Sequence, residues 1–445
     1  MIYETYAKDL TGFIHEAVSP YHAVETSSKW LEREGFESLD FQEKWTLEEG
    51  KNYYTKPYAT TMFAFSIGKR PGEAAAFHMA SSHTDYPCFR IKPNPDMQAK
   101  GYYRLNVESY GGLILGSWQD RLLSVAGKVC LKSSEIFKPL VRLVDFKRPL
   151  GTIPCLAIHM NREVNKGQEL KKQTQMLPII GMKETSMEEG EKKENEEYFV
   201  NLLAKELGVE PSEILDFDLY VYNCEDGVVL GAENDFISAP RLDNLTSVYA
   251  LLNGLEKRAR SMRDGNTFEN IAVAAFYDNE EIGSRTKQGA DSSLTSLLLG
   301  KIYEGLGLSQ GELTSAIMRS FSLSVDVAHC LHPNYAQKND PTNEAELNGG
   351  IVLKIDSTQK YAYDTEAIAA VMQLCEANQI PYQKFVNHSD MTSGSTLGSI
   401  ASSWLPMRTV DLGVPLLAMH SARELMGKKD EVYLSQLMEA FFTEK

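Results

Sequence analysis

Apolar residues recur at helical spacing through Tyr6–Ala17, and a second such run follows Ser19-Pro20, where Ser19 is placed to cap and Pro20 suits a first turn. Thr60–Ile67 and Ala74–Ser82 are short, nearly unbroken apolar runs, which predicts strands buried on both faces. Gly68-Lys69-Arg70-Pro71-Gly72 between them reads as a turn. From about Asn94 to Asn234 the pattern changes, and strand-like pieces such as Gly127–Leu131, Val141–Val144 and Leu156–His159 alternate with turns. Within this stretch Asn165–Glu197 is rich in Lys, Glu and Gln and reads as a solvated loop. Strand and helix then alternate to the end: Leu245–Leu255 is helical, Ile271–Tyr277 a strand, Ser292–Glu304 helical and Ser320–Val327 a strand. Glu366–Asn378 is helical, Leu416–His420 a short strand, and Glu431–Thr443 an amphipathic helix. The pattern predicts an α/β domain of residues 1–93 and 233–445, interrupted by a β-rich insertion over 94–232.

Charge narrows the partners. Asp and Glu number 61 against 45 Lys and Arg, a formal net charge of −16. That balance excludes nucleic acid and anionic membrane surfaces as main partners. Cys88, Cys130, Cys155, Cys224, Cys330 and Cys375 lie far apart with no C-x-x-C pair, which excludes a zinc–thiolate cluster and a disulfide framework. The opening residues carry no apolar h-region and no run approaches a membrane span, so a cytoplasmic protein is expected.

Candidate chemistry gathers where strands end. In Ser81-Ser82-His83-Thr84-Asp85, side chains two apart share a face, so Asp85 can hold the far ring nitrogen of a metal-bound His83. Asp243 stands at the mouth of a helix, where an N-cap is the ordinary role. Glu280 and Glu281 follow the strand Ile271–Tyr277 directly, the position at which α/β sheets place their sites. Asp326 with His329, and His420 with Glu424, repeat the arrangement after later strands.

The strings SSHTDYPCFRIKP (81–93), LAIHMNREVN (156–165), PRLDN (240–244), DNEEIGS (278–284), SVDVAHCLHPNY (324–335), SGSTLGSI (393–400) and DLGVPLLAMHSARE (411–424) resemble, in order, the aspartyl aminopeptidase and vacuolar aminopeptidase I family of dinuclear zinc peptidases. The resemblance runs from about residue 19 to residue 427. It implies a three-layer α/β/α zinc-peptidase domain with a mixed central sheet and an inserted dimerisation domain. It implies two Zn²⁺ per subunit, with Co²⁺ or Mn²⁺ as substitutes. His83 and Asp326 would hold one ion, Glu281 and His420 the other, and Asp243 would bridge them. Glu280 would be the general base and Asp85 the residue that orients His83. His329 would stabilise the oxyanion, Lys354 and Tyr361 would line the substrate pocket, and His159 would reach into a neighbouring subunit's site.

The substrates implied are peptides with a free amino terminus, acidic or apolar in their first residue, and the assembly a tetrahedral homododecamer built from dimers. Two departures bear on the substrate residue: His388 stands where the family has arginine, and Ser393 where it has cysteine. His332 reads as a cap on the turn at Pro333. A two-zinc deacylase or carboxypeptidase of the same layout, and a shell-forming protein that kept the ligands, are the competing readings. The spare glutamate Glu280 has no use in the latter.

Overall fold

The computed structural model describes residues 2–69, 75–183, 197–391 and 394–444. Ser393, the turn residues Arg70 to Gly72 and most of the polar run 187–197 lie outside the described residues. The chain divides into two compact units: Met1–Asp85 with Gly227–Met419 and Glu424–Lys445, and Tyr86–Asp226 with His420–Arg423.

The first unit is built on a nine-stranded mixed sheet. Its order is Glu37–Leu39, Asn52–Tyr58, Thr61–Ile67, Ile271–Tyr277, Phe77–His83, Phe321–Val325, Arg408–Gly413, Ile351–Ile355, Tyr382–Val386. The middle strands, from Ile271–Tyr277 to Arg408–Gly413, run parallel. Ile271, Val273, Ala275 and Tyr277 enter one core with the helices Leu294–Gly305 and Gln310–Arg319. Ala272, Ala274 and Phe276 enter the other, with Ile2–Glu16, Pro20–Arg33, Leu242–Arg263 and Asp430–Thr443. A strand covered on both faces must be apolar at every position, which is why these strands read as unbroken runs. The layers are α/β/α. A five-stranded sheet, ordered Val228–Leu230, Phe236–Ala239, Glu424–Gly427, Pro415–Leu417, Ala328–His329, belongs to the same unit.

Helix ends follow the sequence where capping chemistry is local. Ser19 has an extended backbone and its hydroxyl accepts the His22 N–H, with Pro20 in the first turn. Asp243 has a non-helical backbone (φ −79°, ψ 105°) near the start of Leu242–Arg263, and Arg241, ahead of that helix, is left-handed at φ 61°.

The second unit carries a six-stranded antiparallel sheet, ordered Leu140–Asp145, Leu123–Leu131, Ile214–Asn223, Cys88–Ala99, Tyr102–Tyr110, Ile179–Met182. Two expectations are corrected here. Leu156–His159 is not a strand but leads into a 3₁₀ turn, Ile158–Met160, with Leu156 and Ile158 exposed; no ladder claims its backbone. The stretch after Asn165 is not all loop, because Ile179–Met182 pairs with Tyr102 and Tyr103 at the edge of the sheet. None of the six cysteines is in a disulfide. Among the described residues no helix is long and apolar enough to cross a membrane.

Candidate metal centre

The chemistry-bearing residues of the first unit sit beyond the carboxyl ends of its parallel strands. His83 ends Phe77–His83, Glu280 and Glu281 follow Ile271–Tyr277 through a left-handed Asn279 (φ 64°), and Asp326 follows Phe321–Val325. At that edge side chains from neighbouring strands converge.

His83 is buried. Its Nδ1 lies 3.0 Å from the Asp85 carbonyl oxygen and 3.3 Å from Asp85 Oδ1. With the proton on Nδ1 donated there, the Nε2 lone pair is directed elsewhere, and Nε2 stands 3.4 Å from Asp243 Oδ1 and 3.6 Å from Asp326 Oδ1. Ligand atoms of His83, Asp243 and Asp326 lie within 4.8 Å of one another, and so do those of His83, Glu280 and Glu281. Asp85 serves both sides of the cluster, since its two carboxylate oxygens also accept the Glu280 N–H at 3.2 Å and the Glu281 N–H at 3.1 Å.

So many acids in one buried place repel. Burial, with the carboxylates of Asp326, Asp85 and Asp243 adding to it against His83, pushes the Glu280 carboxyl up to about 8. Glu281 is raised well above the ordinary range by burial and by Asp243 and Glu280. Burial opposes the charged form of His83, but Asp243, Asp326 and Asp85 outweigh it and hold the imidazole well above its ordinary value. Asp326 is held low although burial works the other way, because the Lys354 ammonium stands 3.6 Å from Oδ2. This donor set fits a divalent cation: imidazole and carboxylates are the ligands zinc takes, and positive charge is what the cluster lacks.

The remaining sequence candidates fall in different places. Lys354 is buried and donates to the Val327 carbonyl at 3.0 Å, with its Nζ 5.3 Å from the centroid of the buried Tyr361 ring. The Tyr361 hydroxyl accepts from Asn387 Nδ2 at 3.4 Å. His329 is exposed on Ala328–His329, its ring centroid 6.0 Å from that of Phe385. The second unit holds the other two. His159 is exposed on its 3₁₀ turn, and His420, left-handed at φ 67°, has Nδ1 3.0 Å from the Gly112 carbonyl oxygen. That contact leaves Nε2 as the His420 nitrogen for a ligand. His332 belongs to a turn, where its carbonyl accepts the Tyr335 N–H and its Nδ1 the Asn334 N–H.

The model of the Aminopeptidase I zinc metalloproteases (M18) matches residues 13–442. The chain belongs to the M18 family. An M18 relative from Clostridium novyi, described as a probable M18 family aminopeptidase 2, is 42% identical over 438 residues, covering 98% of this chain and 98% of the relative. A structure described as the complex of Ape4 and Nbr1 superposes with a TM-score of 0.94 at 33% identity, covering 99% of this chain and 86% of that one. The Saccharomyces cerevisiae mApe1 dodecamer superposes at 0.84 with 28% identity, covering 100% of this chain and 98% of that one.

Two residues that hold this cluster together were given no role from sequence. Asn244 follows a cis Asp243–Asn244 peptide, and its Nδ2 donates to the Val325 carbonyl at 3.0 Å and to Ser82 Oγ at 3.3 Å. It thereby ties the strand end that carries His83 to the one that carries Asp326. Glu424, buried, accepts the Asp243 N–H at 3.0 Å. The signal was present in part, since both stand inside the strings PRLDN and DLGVPLLAMHSARE, but neither residue type declares a role without its partners.

Proposed function

We propose that this M18 enzyme removes the amino-terminal residue, acidic or apolar, from peptides at a centre of two zinc ions. His83 and Asp326 would bind one ion, Glu281 and His420 the other, and Asp243 would bridge them. The observation that carries the reading is the placement of His83 Nε2 between Asp243 Oδ1 at 3.4 Å and Asp326 Oδ1 at 3.6 Å, with the Glu280-Glu281 turn fixed to the same Asp85. Zinc would supply Lewis acidity, polarising the peptide carbonyl and making water acidic near neutral pH.

The protein's own residues supply the rest. Glu280 takes a proton from the attacking water and delivers it to the leaving amine. A carboxyl that favours its proton in the bare protein is suited to this, and two nearby cations bring it down to where it can also accept. Asp85 fixes the His83 ring and the Glu280 backbone together. His329 stabilises the oxyanion, and Lys354 and Tyr361 form the buried wall of the substrate pocket.

The assembly belongs to the same reading. Residues 94–232 are a dimerisation domain, the dimers build a tetrahedral homododecamer in the cytoplasm, and His159 completes a neighbouring subunit's site. The description of the S. cerevisiae relative as a dodecamer supports this. Light scattering on active enzyme should give that mass, and an active monomer would refute both the assembly and the role of His159.

Glu280→Gln decides the mechanism. It should keep bound zinc and lose about 10²–10⁴ in turnover; unchanged turnover defeats the proposal. A fluorogenic panel of free and amino-terminally blocked peptides, run before and after chelation, separates this activity from a deacylase or carboxypeptidase, which needs blocked substrates.

A further inference from the structure

Glu280 and Glu281 stand side by side, but they need different support. A carboxylate that binds an ion is oriented by that ion, whereas one that shuttles a proton has only the protein to aim it. The direction of their turn is set at Asp278 and Asn279, where the chain leaves Ile271–Tyr277 and Asn279 takes the left-handed φ of 64° that non-glycine residues rarely adopt. Both residues are gripped by the segment that follows the glutamates. Thr286 Oγ1 donates to Asn279 Oδ1 at 2.8 Å, and the Asn279 carbonyl accepts the Ser284 N–H at 2.8 Å. The Asp278 N–H donates to the Gln288 carbonyl at 3.2 Å. The Gln288 side chain completes the clamp, because its Nε2 donates to Asp278 Oδ2 at 3.2 Å and to Thr60 Oγ1 at 2.8 Å. Both protons of that amide are thereby used. The other Asp278 oxygen, Oδ1, accepts the Asn279 N–H at 2.7 Å.

Thr60, which is buried, joins the clamp to the strand that carries His83. Its carbonyl accepts the hydroxyl of Thr84, the residue after His83, at 2.9 Å, and the Thr84 N–H donates to the Tyr277 carbonyl at 2.8 Å. The neighbouring Thr61 hydroxyl donates to the Gln288 carbonyl at 2.9 Å. The segment has no slack, since a Cβ on Gly289 would come within 2.2 Å of the Ser284 carbonyl oxygen. We propose that Gln288, seconded by Thr286, is a positioning residue for the general base. It fixes the direction in which the turn leaves the strand, and so aims the Glu280 carboxylate at the attacking water. Glu281 depends on it less, because the metal holds that side chain from the other end.

The inference rests on Glu280 being the base, as proposed above, and its test separates the two. Turnover and KM are measured with a fluorogenic peptide that the parent cleaves, and zinc affinity by titration against a competing chromophoric chelator. The proteins compared are the parent, Gln288→Met, Thr286→Val, Glu280→Gln and the double variant of Glu280→Gln with Gln288→Met. Methionine keeps the length of Gln288 and removes both donors. Gln288→Met should lose about 10–100-fold in kcat, the cost of a base displaced by a fraction of its reach. Its KM and zinc affinity should stay within about threefold of the parent. On the Glu280→Gln background, where no base is left to aim, the same change should lower kcat less than about twofold. Parent-like turnover by Gln288→Met overturns the role. So does a fall in turnover matched by a fall in zinc affinity, or a loss of equal size on both backgrounds, either of which marks a residue that only supports the fold. Should Gln288→Met fail to fold, Thr286→Val, which frees Asn279 Oδ1 alone, is read by the same three criteria. Unchanged turnover in Glu280→Gln would instead refute the base itself.

Discussion

Asn244 shows how much one amide can hold. It donates to Val325 and Ser82 and accepts from the Ser247 hydroxyl, all within the protein interior. Asn244→Ala leaves a buried carbonyl and two hydroxyls short of partners, at about 1–3 kcal/mol for each lost contact. The variant should therefore melt lower without metal and bind zinc more weakly, because the strand ends carrying His83 and Asp326 are no longer tied. Calorimetry and chelator competition measure the two effects, and a variant with normal zinc affinity would make Asn244 a purely structural residue. This role was not legible in the sequence, because Asn244 works through a partner 162 residues away.

Elements were legible in proportion to their burial. Ile271–Tyr277 could be read to the residue because both of its faces enter cores, so every position is apolar. Helices with amphipathic faces differ from expectation by a residue, Asp430–Thr443 at its start and Thr365–Ala377 at each end. Leu156–His159 failed because its apolar side chains are exposed, and hydrophobicity without burial carries no information about strands. Packing between elements gives a sharper prediction. A Cβ on Gly254 would meet Phe442 Cδ2 at 2.7 Å and the Met438 carbonyl oxygen at 2.8 Å, where Leu242–Arg263 lies on Asp430–Thr443. Gly254→Ala should gain helix propensity yet cost about 1–3 kcal/mol net through overpacking. Chemical denaturation checks the sign, and a stabilised variant would show that the terminal helix can retreat.

For the whole molecule the acid cluster couples stability, metal and pH. Glu280 is pushed from 4.5 to about 8 in the folded chain, so the native state holds a proton that the unfolded state gives up. A raised carboxyl contributes stability at low pH and loses it as pH rises through the folded value. The metal-free protein should accordingly melt progressively lower between about pH 5 and pH 9, and the zinc-loaded protein should not follow it. Zinc must displace the protons on Glu280, Glu281 and His83, so its uptake near neutral pH should release protons and its affinity should rise with pH. Titration calorimetry in two buffers of different ionisation enthalpy measures that release, and its absence would mean that Glu281 and His83 do not ligate.

The strand order has a consequence for synthesis. Phe77–His83 emerges early, but its neighbour on one side is Phe321–Val325, and beyond that lies Arg408–Gly413. A nascent chain cannot assemble this middle of the sheet until Arg408–Gly413 has left the ribosome, and loop closure over such separations is slow. Until those residues emerge, the strand that carries His83 waits without the neighbours that complete its surroundings.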